Sequence, residues 1–233
     1  MSSNTDSSES ESSSINYQRQ PSRYVLAEEL SMVSDTHQGD GDNDPVHVLL
    51  PSFAGVNRVF FIGTLTATAD VSDANSDPYM KAEIVGPTGT FYVYAGQYQP
   101  EAKAFIQQTD SPAYVAVTGK PKTFENDDGD MLLRIAPEQM STVSSEDRNR
   151  WVVDAARHTH RRLAFAQDGE VDPESADAIT PDLFDPSGDD LERVRQAVIT
   201  ALEDVTELVG ESEAATDDEM VANGESSSAD ADA

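Results

Sequence analysis

Segments that favour β-strands follow one another at short intervals through the middle of this chain, and one helical segment interrupts them. The predicted strands are residues 56–71, 79–86, 90–96, 113–124 and 131–143. The predicted helix, residues 100–108, lies between the third and fourth strands and begins at Pro100, which suits a first helical turn. Gly63, inside the first strand, predicts a bulge or a sharp bend. Five strands with a helix after the third are typical of the OB-fold, a small, partly open Greek-key barrel.

The chain on either side of this barrel divides into helical segments and polar tails. Composition and helical periodicity predict a mainly β protein with flanking helices and disordered acidic tails. The predicted segments are a disordered tail at 1–21, a short helix and loop at 22–45, the OB-fold at 46–143, a helical C-terminal region at 144–210 with an acidic linker at 168–188, and a disordered acidic tail at 211–233.

Capping residues and apolar stripes predict where the helices begin and end. Ser22 is the predicted cap of the short N-terminal helix, and Ser144 or Ser145 is the predicted cap of the first C-terminal helix. The second C-terminal helix, 189–210, carries an apolar stripe and ends at Gly210, as an amphipathic helix commonly does.

Charge is distributed unevenly along the chain, whose formal net charge is −29. Residues 46–122 hold six acids and five bases, whereas residues 166–233 hold 21 acids and two bases. The high net charge, the abundant Asp and Glu and the presence of only four lysines fit a halophilic protein from a high-salt cytosol. The predicted barrel is therefore unusual in this chain, because acidic residues have been kept off it.

Several classes of function are disfavoured by what the sequence lacks. Without cysteine the chain can form no disulfide, thiolate zinc site or cysteine nucleophile. No apolar run approaches about 18 residues and no secretory signal is visible, so we expect a cytoplasmic protein without membrane contact. No P-loop, dinucleotide-binding glycine motif, G-x-S-x-G or HExxH motif occurs. We therefore expect no enzyme activity, no cofactor, no metal site and no small-molecule substrate.

Aromatic residues concentrate in the predicted strand 90–96, in a chain that is otherwise poor in them. Because alternate side chains point to opposite faces, placing Phe91 and Val93 in the core leaves Tyr92 and Tyr94 outside. OB-folds bind oligonucleotides on this outer surface, where aromatic rings stack on bases and cations follow the phosphates. The candidate DNA-binding residues are Arg58, Tyr79, Lys81, Tyr92, Tyr94, Tyr98, Lys120, Lys122 and Arg134. A protein-binding face and plain sheet packing are alternative interpretations of the same residues.

The first C-terminal helix is locally basic, with five arginines against three acids in residues 145–165. Trp151, Arg157 and Arg161 are candidate residues for binding a protein partner. Trp151 also suits an anchor that packs this helix onto the barrel, and a solvated helix face is the simpler explanation of the arginines. The acidic end of the chain either maintains solubility or competes with DNA for cationic surfaces.

Four blocks of the sequence are long and distinctive. They are LLPSFAGVNRVFFIGTLT (49–66), GPTGTFYVYAGQYQPEA (86–102), AYVAVTGKP (113–121) and RNRWVVDAA (148–156). Together with YVLAEEL (24–30) they resemble the replication protein A-associated proteins of haloarchaea over about residues 23–165, although SFAG (52–55) and VGPTG (85–89) depart from the usual turns. The resemblance implies an accessory OB-fold subunit of an archaeal replication protein A-type complex that binds single-stranded DNA in replication and repair. The alternative is a protein–protein adaptor that binds this partner without touching DNA.

Overall fold

The computed structural model describes residues 20–225 apart from 40, 42, 43, 75, 126–130 and 174–186, and for 209–225 it describes the backbone alone. All but the last two residues of the predicted N-terminal tail lie outside the described residues, as do most of the predicted acidic linker and residues 226–233. The predictions of disorder in these segments therefore stay predictions.

The described residues form nine strands and four helices. The strands are β1 (Arg23–Tyr24), β2 (Thr36–Gln38), β3 (Val46–Leu49), β4 (Gly55–Val56), β5 (Val59–Asp70), β6 (Met80–Gly86), β7 (Gly89–Ala95), β8 (Ala113–Glu125) and β9 (Met131–Thr142). The helices are α1 (Ala27–Ser31), α2 (Pro100–Gln108), α3 (Ser145–Gln167) and α4 (Gly188–Glu225). Strands β5 to β9 correspond to the five predicted strands, and α2 has the predicted bounds.

Strands β5 to β9 close into a barrel with the connectivity of the OB-fold. β5, β6 and β7 form an antiparallel meander, and β8 and β9 form an antiparallel hairpin. β5 also pairs with β8, and β7 pairs in parallel with β9 through Val93 and Ile135. The strand order β5-β6-β7-β9-β8 therefore returns to β5. The predicted five-stranded barrel followed by C-terminal helices is confirmed.

Alternate side chains of each strand fill the interior of the barrel. Met80 and Ile84 of β6 and Phe91 and Val93 of β7 are buried. The Phe91 ring stacks on the ring of Phe61, with their centroids 3.9 Å apart. Because burying an apolar side chain of this size stabilises the fold by about 1.5–3 kcal/mol, the alternation determines which face of each strand points outward.

Gly63 lies where β5 passes from its pairing with β8 to its pairing with β6. A Cβ at this position would lie 2.7 Å from the carbonyl oxygen of Val85, too close for any side chain. The predicted bulge lies further along the strand, between Leu65 and Ala67, where the β5–β6 register shifts. Gly63 is therefore needed for the close approach of two backbones rather than for the bulge.

The segment predicted as one helix from Ser22 is a strand followed by a shorter helix. The start of β5, which β6 leaves uncovered, pairs in parallel with β1. The Arg23 amide donates a hydrogen bond to the Arg58 carbonyl at 2.9 Å. This pairing holds residues 23–24 in extended form, so α1 begins only at Ala27 and the predicted helix start is wrong. The predicted loop that follows contains β2, which forms a small separate sheet with β3 and β4.

Helix α3 packs on the barrel through one apolar face. Val152, Ala155, Thr159 and Leu163 are all buried. Ser144 caps the helix, because its hydroxyl oxygen accepts a hydrogen bond from the Asp147 amide at 3.1 Å. The helix therefore starts where its capping residue predicted.

Helix α4 is longer than predicted and packs on α3 and α1. It runs for 38 residues and passes through Gly210, so the predicted end at that residue is wrong and the predicted acidic tail begins in helix. One glycine in a helix costs only about 1 kcal/mol relative to alanine, and the Glu, Ala and Met residues that follow favour helix. The buried residues of α4 are Val194, Ala197, Val198 and Ala201. Leu202, an apolar residue of the same helix, is exposed.

Candidate nucleic-acid interface

Outward-pointing side chains from four adjacent strands form one open face of the barrel. The strands cross this face in the order β6, β7, β9 and β8. The opposed pairs on it are Lys81 with Tyr94, Glu83 with Tyr92, Arg134 with Lys122, and Leu132 with Phe124. We call this surface the groove face. It brings most of the predicted DNA-binding residues together from two separate hairpins.

Three adjoining depressions run along the groove face. The first, of about 340 Å³, lies between α1 and the hairpin of β8 and β9 and is lined mostly by apolar side chains. The other two, of about 520 and 500 Å³, share Tyr98, Gln99, Lys122 and Ala136. Tyr94 lines both the first and the second depression, which makes the three continuous. We call the first depression the apolar cleft and the other two the polar arm.

The tyrosines on the groove face lie outside the barrel, as the alternation of β7 predicted. Tyr92 is 43% exposed and Tyr98, beyond the end of β7, is 84% exposed. The rings of Tyr79 and Tyr94 contact each other, with centroids 5.7 Å apart and planes tilted by 31°. Tyr92 and Tyr98 therefore have ring surface on which a further flat ring could stack, while Tyr79 and Tyr94 support each other.

Lys81 lies between an aromatic ring and a carboxylate. Its Nζ is 4.8 Å from the centroid of the Tyr92 ring and donates a hydrogen bond to Glu83 Oε1 at 2.7 Å. The hydrogen bond to Glu83 raises the pKa of Lys81 above its usual value, so the ammonium stays charged. Because Glu83 partly neutralises that charge, Lys81 attracts a phosphate less than its place on the groove face would suggest.

The cations of β8 and β9 have different neighbours. The Arg134 guanidinium lies 5.3 Å from the centroid of the Phe124 ring and donates a hydrogen bond to the Tyr79 hydroxyl at 3.1 Å. Lys120 and Lys122 are exposed, and among the described residues neither has a carboxylate within ion-pair distance. These three side chains line the polar arm and keep their charge available to an anion.

Asp70 shapes the loop that brings Tyr79 to the edge of the groove face. Its Oδ1 accepts hydrogen bonds from the Ser72 hydroxyl at 2.6 Å, the Ser72 amide at 3.0 Å and the Tyr79 amide at 3.4 Å. The bond from the Ser72 hydroxyl is the main cause that lowers the pKa of Asp70 below its usual value. The ionised carboxylate therefore closes this loop and positions Tyr79.

Arg58 lies apart from the other candidate contacts and is paired with a carboxylate. Its Nε and Nη2 donate to the two carboxylate oxygens of Glu138 at 2.6 and 2.8 Å, and its Nη1 donates to the Gln20 carbonyl at 2.8 Å. The Arg58 side chain is only 12% exposed and lines none of the three depressions. Because a bidentate carboxylate already neutralises the guanidinium, Arg58 is a weaker candidate than the cations of the polar arm, and a phosphate contact there stays a prediction.

Three exposed apolar residues at the apolar cleft were missed in the sequence. Phe124 is 38%, Met131 45% and Leu132 42% exposed. The signal was present, because alternation along β8 and β9 places Phe124 on the same face as Lys122, and Leu132 on the same face as Arg134. They make one end of the groove face hydrophobic, whereas the polar arm at the other end carries the cations.

The candidate partner-binding residues of α3 lie away from the groove face. Trp151 is 3% exposed and belongs to the core, so the prediction that it contacts a partner is corrected. Its ring anchors α3 to the barrel. Arg157 pairs with Asp154 at 2.7 Å and Arg161 pairs with Asp172 at 3.0 Å. A binding role for these two arginines stays a prediction.

His158 on α3 stacks on Tyr24, with centroids 5.2 Å apart and nearly parallel planes. Partial burial, followed by the nearby charge of Arg162, lowers the pKa of His158 below its usual value. The described residues contain no group of three or more His, Asp or Glu side chains that could hold a metal ion. Among the helices of the described residues, none is long and apolar enough to cross a membrane.

No family model matches this sequence, and no curated protein matches it. Among solved structures, the chain is similar to one of a replication protein A heterotrimer bound to single-stranded DNA, at 18% identity over 60% of this chain and 96% of that one, with a TM-score of 0.41. It is also similar to Rim1, a mitochondrial single-stranded DNA binding protein of S. cerevisiae, at 17% identity over 38% of this chain and 94% of that one, with a TM-score of 0.29. A second single-stranded DNA binding protein of Mycobacterium smegmatis matches at 11% identity over 39% and 89%, with a TM-score of 0.33. Functional inference therefore rests on the barrel and its groove.

Proposed function

We propose that this protein binds single-stranded DNA along the groove face and has no catalytic activity of its own. One observation carries the proposal: on one open face of an OB-fold barrel, exposed aromatic rings lie together with cations that have no carboxylate partner in the part of the chain that the structure describes. Tyr92 and Tyr98 offer ring surface, and Lys120, Lys122 and Arg134 line the adjoining polar arm. Stacking on an aromatic ring contributes about 1–3 kcal/mol per base and is insensitive to sequence, because every base has a flat face.

The balance between stacking and charge follows from the composition of the whole chain. A net charge of −29 opposes a polyanion at long range, and screening limits that repulsion to about 10 Å at 0.1 M salt and less at higher salt. High salt also weakens the gain from counterion release. Base stacking should therefore supply most of the affinity in molar salt, with the cations of the polar arm setting the path of the strand.

Fluorescence anisotropy of a labelled oligo-dT in molar KCl tests the proposal. The oligonucleotide should have about 20 nucleotides, which exceeds the roughly 4–16 nucleotides that one OB-fold covers. The matched control ligand is an abasic strand of the same length, which keeps the phosphates and lacks the bases. We expect saturable binding of oligo-dT and much weaker binding of the abasic strand and of duplex DNA. Equal binding of the two single strands, or none of either, would overturn the proposal.

The more specific role rests on the sequence resemblance. As part of the same proposal, the protein is an accessory subunit of a replication protein A-type complex that acts in DNA replication and repair. Purification from the native cell at high salt, followed by mass spectrometry, should recover a single-stranded-DNA-binding protein in a fixed ratio. Recovery of this protein alone would contradict the accessory role while leaving DNA binding intact.

An adaptor that binds the partner without touching DNA is the second candidate function. The exposed Phe124, Met131 and Leu132 favour it, because apolar side chains at a cleft also suit a protein contact. Replacing Tyr92 and Tyr94 by alanine separates the two functions. Loss of the partner with unchanged DNA affinity of the complex favours the adaptor, and loss of DNA affinity with the partner retained favours direct DNA binding.

A further inference from the structure

Helix α1 forms one wall of the apolar cleft. Ala27, Leu30, Ser31 and Val33, from this helix and the two residues after it, line the cleft opposite the hairpin of β8 and β9. The helix has only five residues, and a helix of that length is not stable on its own. Its position must therefore be set by the groups that hold its opposite side.

Those groups surround the carboxylate of Glu29, which is fully buried. Its oxygens accept hydrogen bonds from the Leu26 amide at 3.2 Å, the Ser52 hydroxyl at 3.1 Å and the Thr159 hydroxyl at 2.8 Å. Arg162 Nη2 of α3 lies 3.0 and 2.9 Å from the two oxygens. These hydrogen bonds and the guanidinium charge compensate the buried carboxylate.

Arg162 connects this carboxylate to two further segments. Its Nε donates to the Ser52 hydroxyl at 3.2 Å, and its Nη1 donates to the Tyr24 carbonyl at 3.3 Å. Ser52 lies in the turn between β3 and β4, and Tyr24 ends β1. Helix α3 thereby holds the end of β1 and the β3–β4 turn together with the buried side of α1, although no residue of α3 lines any of the three depressions.

A second, weaker connection links α1 to α4. Arg193 Nη2 donates to Glu28 Oε1 at 2.6 Å, but the Arg193 side chain is largely exposed. Exposed pairs contribute little, whereas breaking a buried pair leaves an uncompensated charge. The pair of Glu29 and Arg162 is therefore the contact that decides where α1 lies.

The geometry points to Glu29 and Arg162 as positioning residues of the DNA-binding groove face. They hold the buried side of α1, and this keeps the outer side of α1 in place as a wall of the apolar cleft. This inference rests on the proposed function, because it assigns the cleft to the same bound strand. It makes α3 a required part of the binding site without any contact between α3 and DNA. A change in the packing of α3 should then alter DNA affinity through α1.

The test replaces both members of the pair, Glu29→Met with Arg162→Met, so that no buried charge is left unpaired. Replacement of a buried ion pair by apolar residues of similar volume is often tolerated. Near-ultraviolet circular dichroism of the buried Trp151 verifies packing, and thermal unfolding verifies stability. Because the chain has no cysteine, Ser31→Cys provides a unique site for a spin label on the wall itself.

The matched control removes another α3 ion pair that does not involve α1. Arg148 Nη2 lies 2.5 Å from Asp204 Oδ2 of α4, and the Arg148 side chain is as buried as that of Arg162. The control variant is Arg148→Met with Asp204→Leu. It removes a pair of the same charges from the same helix, so any general effect of loosening α3 appears in both variants.

We expect the folded Glu29→Met/Arg162→Met protein to bind oligo-dT about five- to tenfold more weakly and to show a more mobile spin label at position 31. The control should keep wild-type affinity and label mobility. Should the double variant fail to fold, Arg162→Lys takes its place, because it keeps the charge near Glu29 but cannot bond Ser52 and Tyr24 at once. It should show a smaller change in the same direction.

Wild-type affinity and wild-type label mobility in a folded variant would overturn the inference. A mobile label with unchanged affinity would also overturn it, because the wall would then move without consequence for DNA. The label separates this failure from failure of the proposed function. If the wild type binds no oligonucleotide, DNA is rejected as the ligand. In that case an immobile label in the variant still refutes the positioning role of Glu29 and Arg162, and a mobile label still supports it.

Discussion

The cations of α3 and those of the groove face belong to the same residue classes but have opposite surroundings. All five arginines of α3 pair with carboxylates, and the pairs are Arg148–Asp204, Arg150–Glu146, Arg157–Asp154, Arg161–Asp172 and Arg162–Glu29. On the groove face, Arg134 faces a phenyl ring and a phenolic hydroxyl, and Lys122 has no carboxylate partner among the described residues. The groove face is therefore a better place for an anion than α3, although the sequence of α3 is the more basic of the two.

This difference shows that partners, rather than counts, determine whether a positive charge can act on a ligand. In α3, Arg148, Arg161 and Arg162 connect the helix to other segments, whereas Arg150 and Arg157 pair with carboxylates of the helix itself. On the groove face, Arg134 lies beside a phenyl ring, and Lys120 and Lys122 have no carboxylate partner among the described residues, so these charges remain available. The near-neutral composition of the barrel is thus the more informative charge pattern in this acidic chain.

The largest expected effect separates the buried arginine of α3 from an exposed one. Arg162→Met leaves Glu29 buried without its charge partner and should lower the free energy of unfolding by about 3–5 kcal/mol. Arg157→Met removes an exposed pair and should change it by less than about 0.5 kcal/mol. Urea denaturation of both variants in the same KCl buffer measures the difference. Similar decreases in the free energy of unfolding of the two variants would mean that the buried pair contributes no more to stability than the exposed pair.

The next effect concerns the rings of the groove. Tyr92→Ala and Tyr98→Ala should each weaken oligo-dT binding by about 1–3 kcal/mol, the contribution of one stacked base. Tyr114→Ala is the control, because Tyr114 lies on β8 but lines none of the three depressions. Anisotropy titration measures all three variants. A loss for Tyr114 as large as for the other two would place the strand elsewhere on the barrel.

A smaller effect compares a groove lysine with a lysine on α2. Lys122→Gln should reduce the slope of log affinity against log salt concentration by about 0.7, the value for one phosphate contact with a single strand. Lys103→Gln makes the same change of charge on α2 and should leave the slope unchanged. Titrations at several KCl concentrations determine both slopes. Equal reductions would show that only the overall charge of the protein matters.

The smallest effect is a pH dependence of stability that originates in α3. The folded-state pKa of His158 lies below the unfolded value of about 6.5, because burial disfavours the imidazolium. The stability linked to neutral His158 is therefore present above about pH 6.5 and is lost as the pH falls through the folded-state pKa. The charges facing it are Arg162, Arg157, Arg161 and Asp154.

Thermal unfolding between pH 7.5 and 5 measures this dependence. His158→Gln should show a shallower decline in melting temperature than the wild type over the same range. An identical decline in both proteins would assign the dependence to other groups.

The sequence allowed the barrel and the direction of its side chains to be predicted, because both depend on local periodicity. Alternation in β7 correctly placed Phe91 and Val93 inside and Tyr92 outside. The same rule, applied to β8, would have found Phe124.

The pairing of side chains that are far apart in the sequence could not be predicted. Arg58 is neutralised by Glu138, 80 positions away, and Arg162 by Glu29, 133 positions away. The early helix was also misplaced, since parallel pairing with β5 outweighed the local signals at Ser22. Periodicity describes one element at a time, whereas these outcomes depend on which elements meet in three dimensions.

The barrel closes between β7 and β9 at the pair of Val93 and Ile135, and the groove face lies over this junction. Tyr92 and Arg134 flank the pair on the two strands. A DNA strand that contacts both residues would connect β7 and β9 across the junction where the barrel closes. We therefore expect DNA binding to slow amide hydrogen exchange in β7 and β9 more than in β5. The DNA-bound barrel would then open less often at this junction than the free barrel.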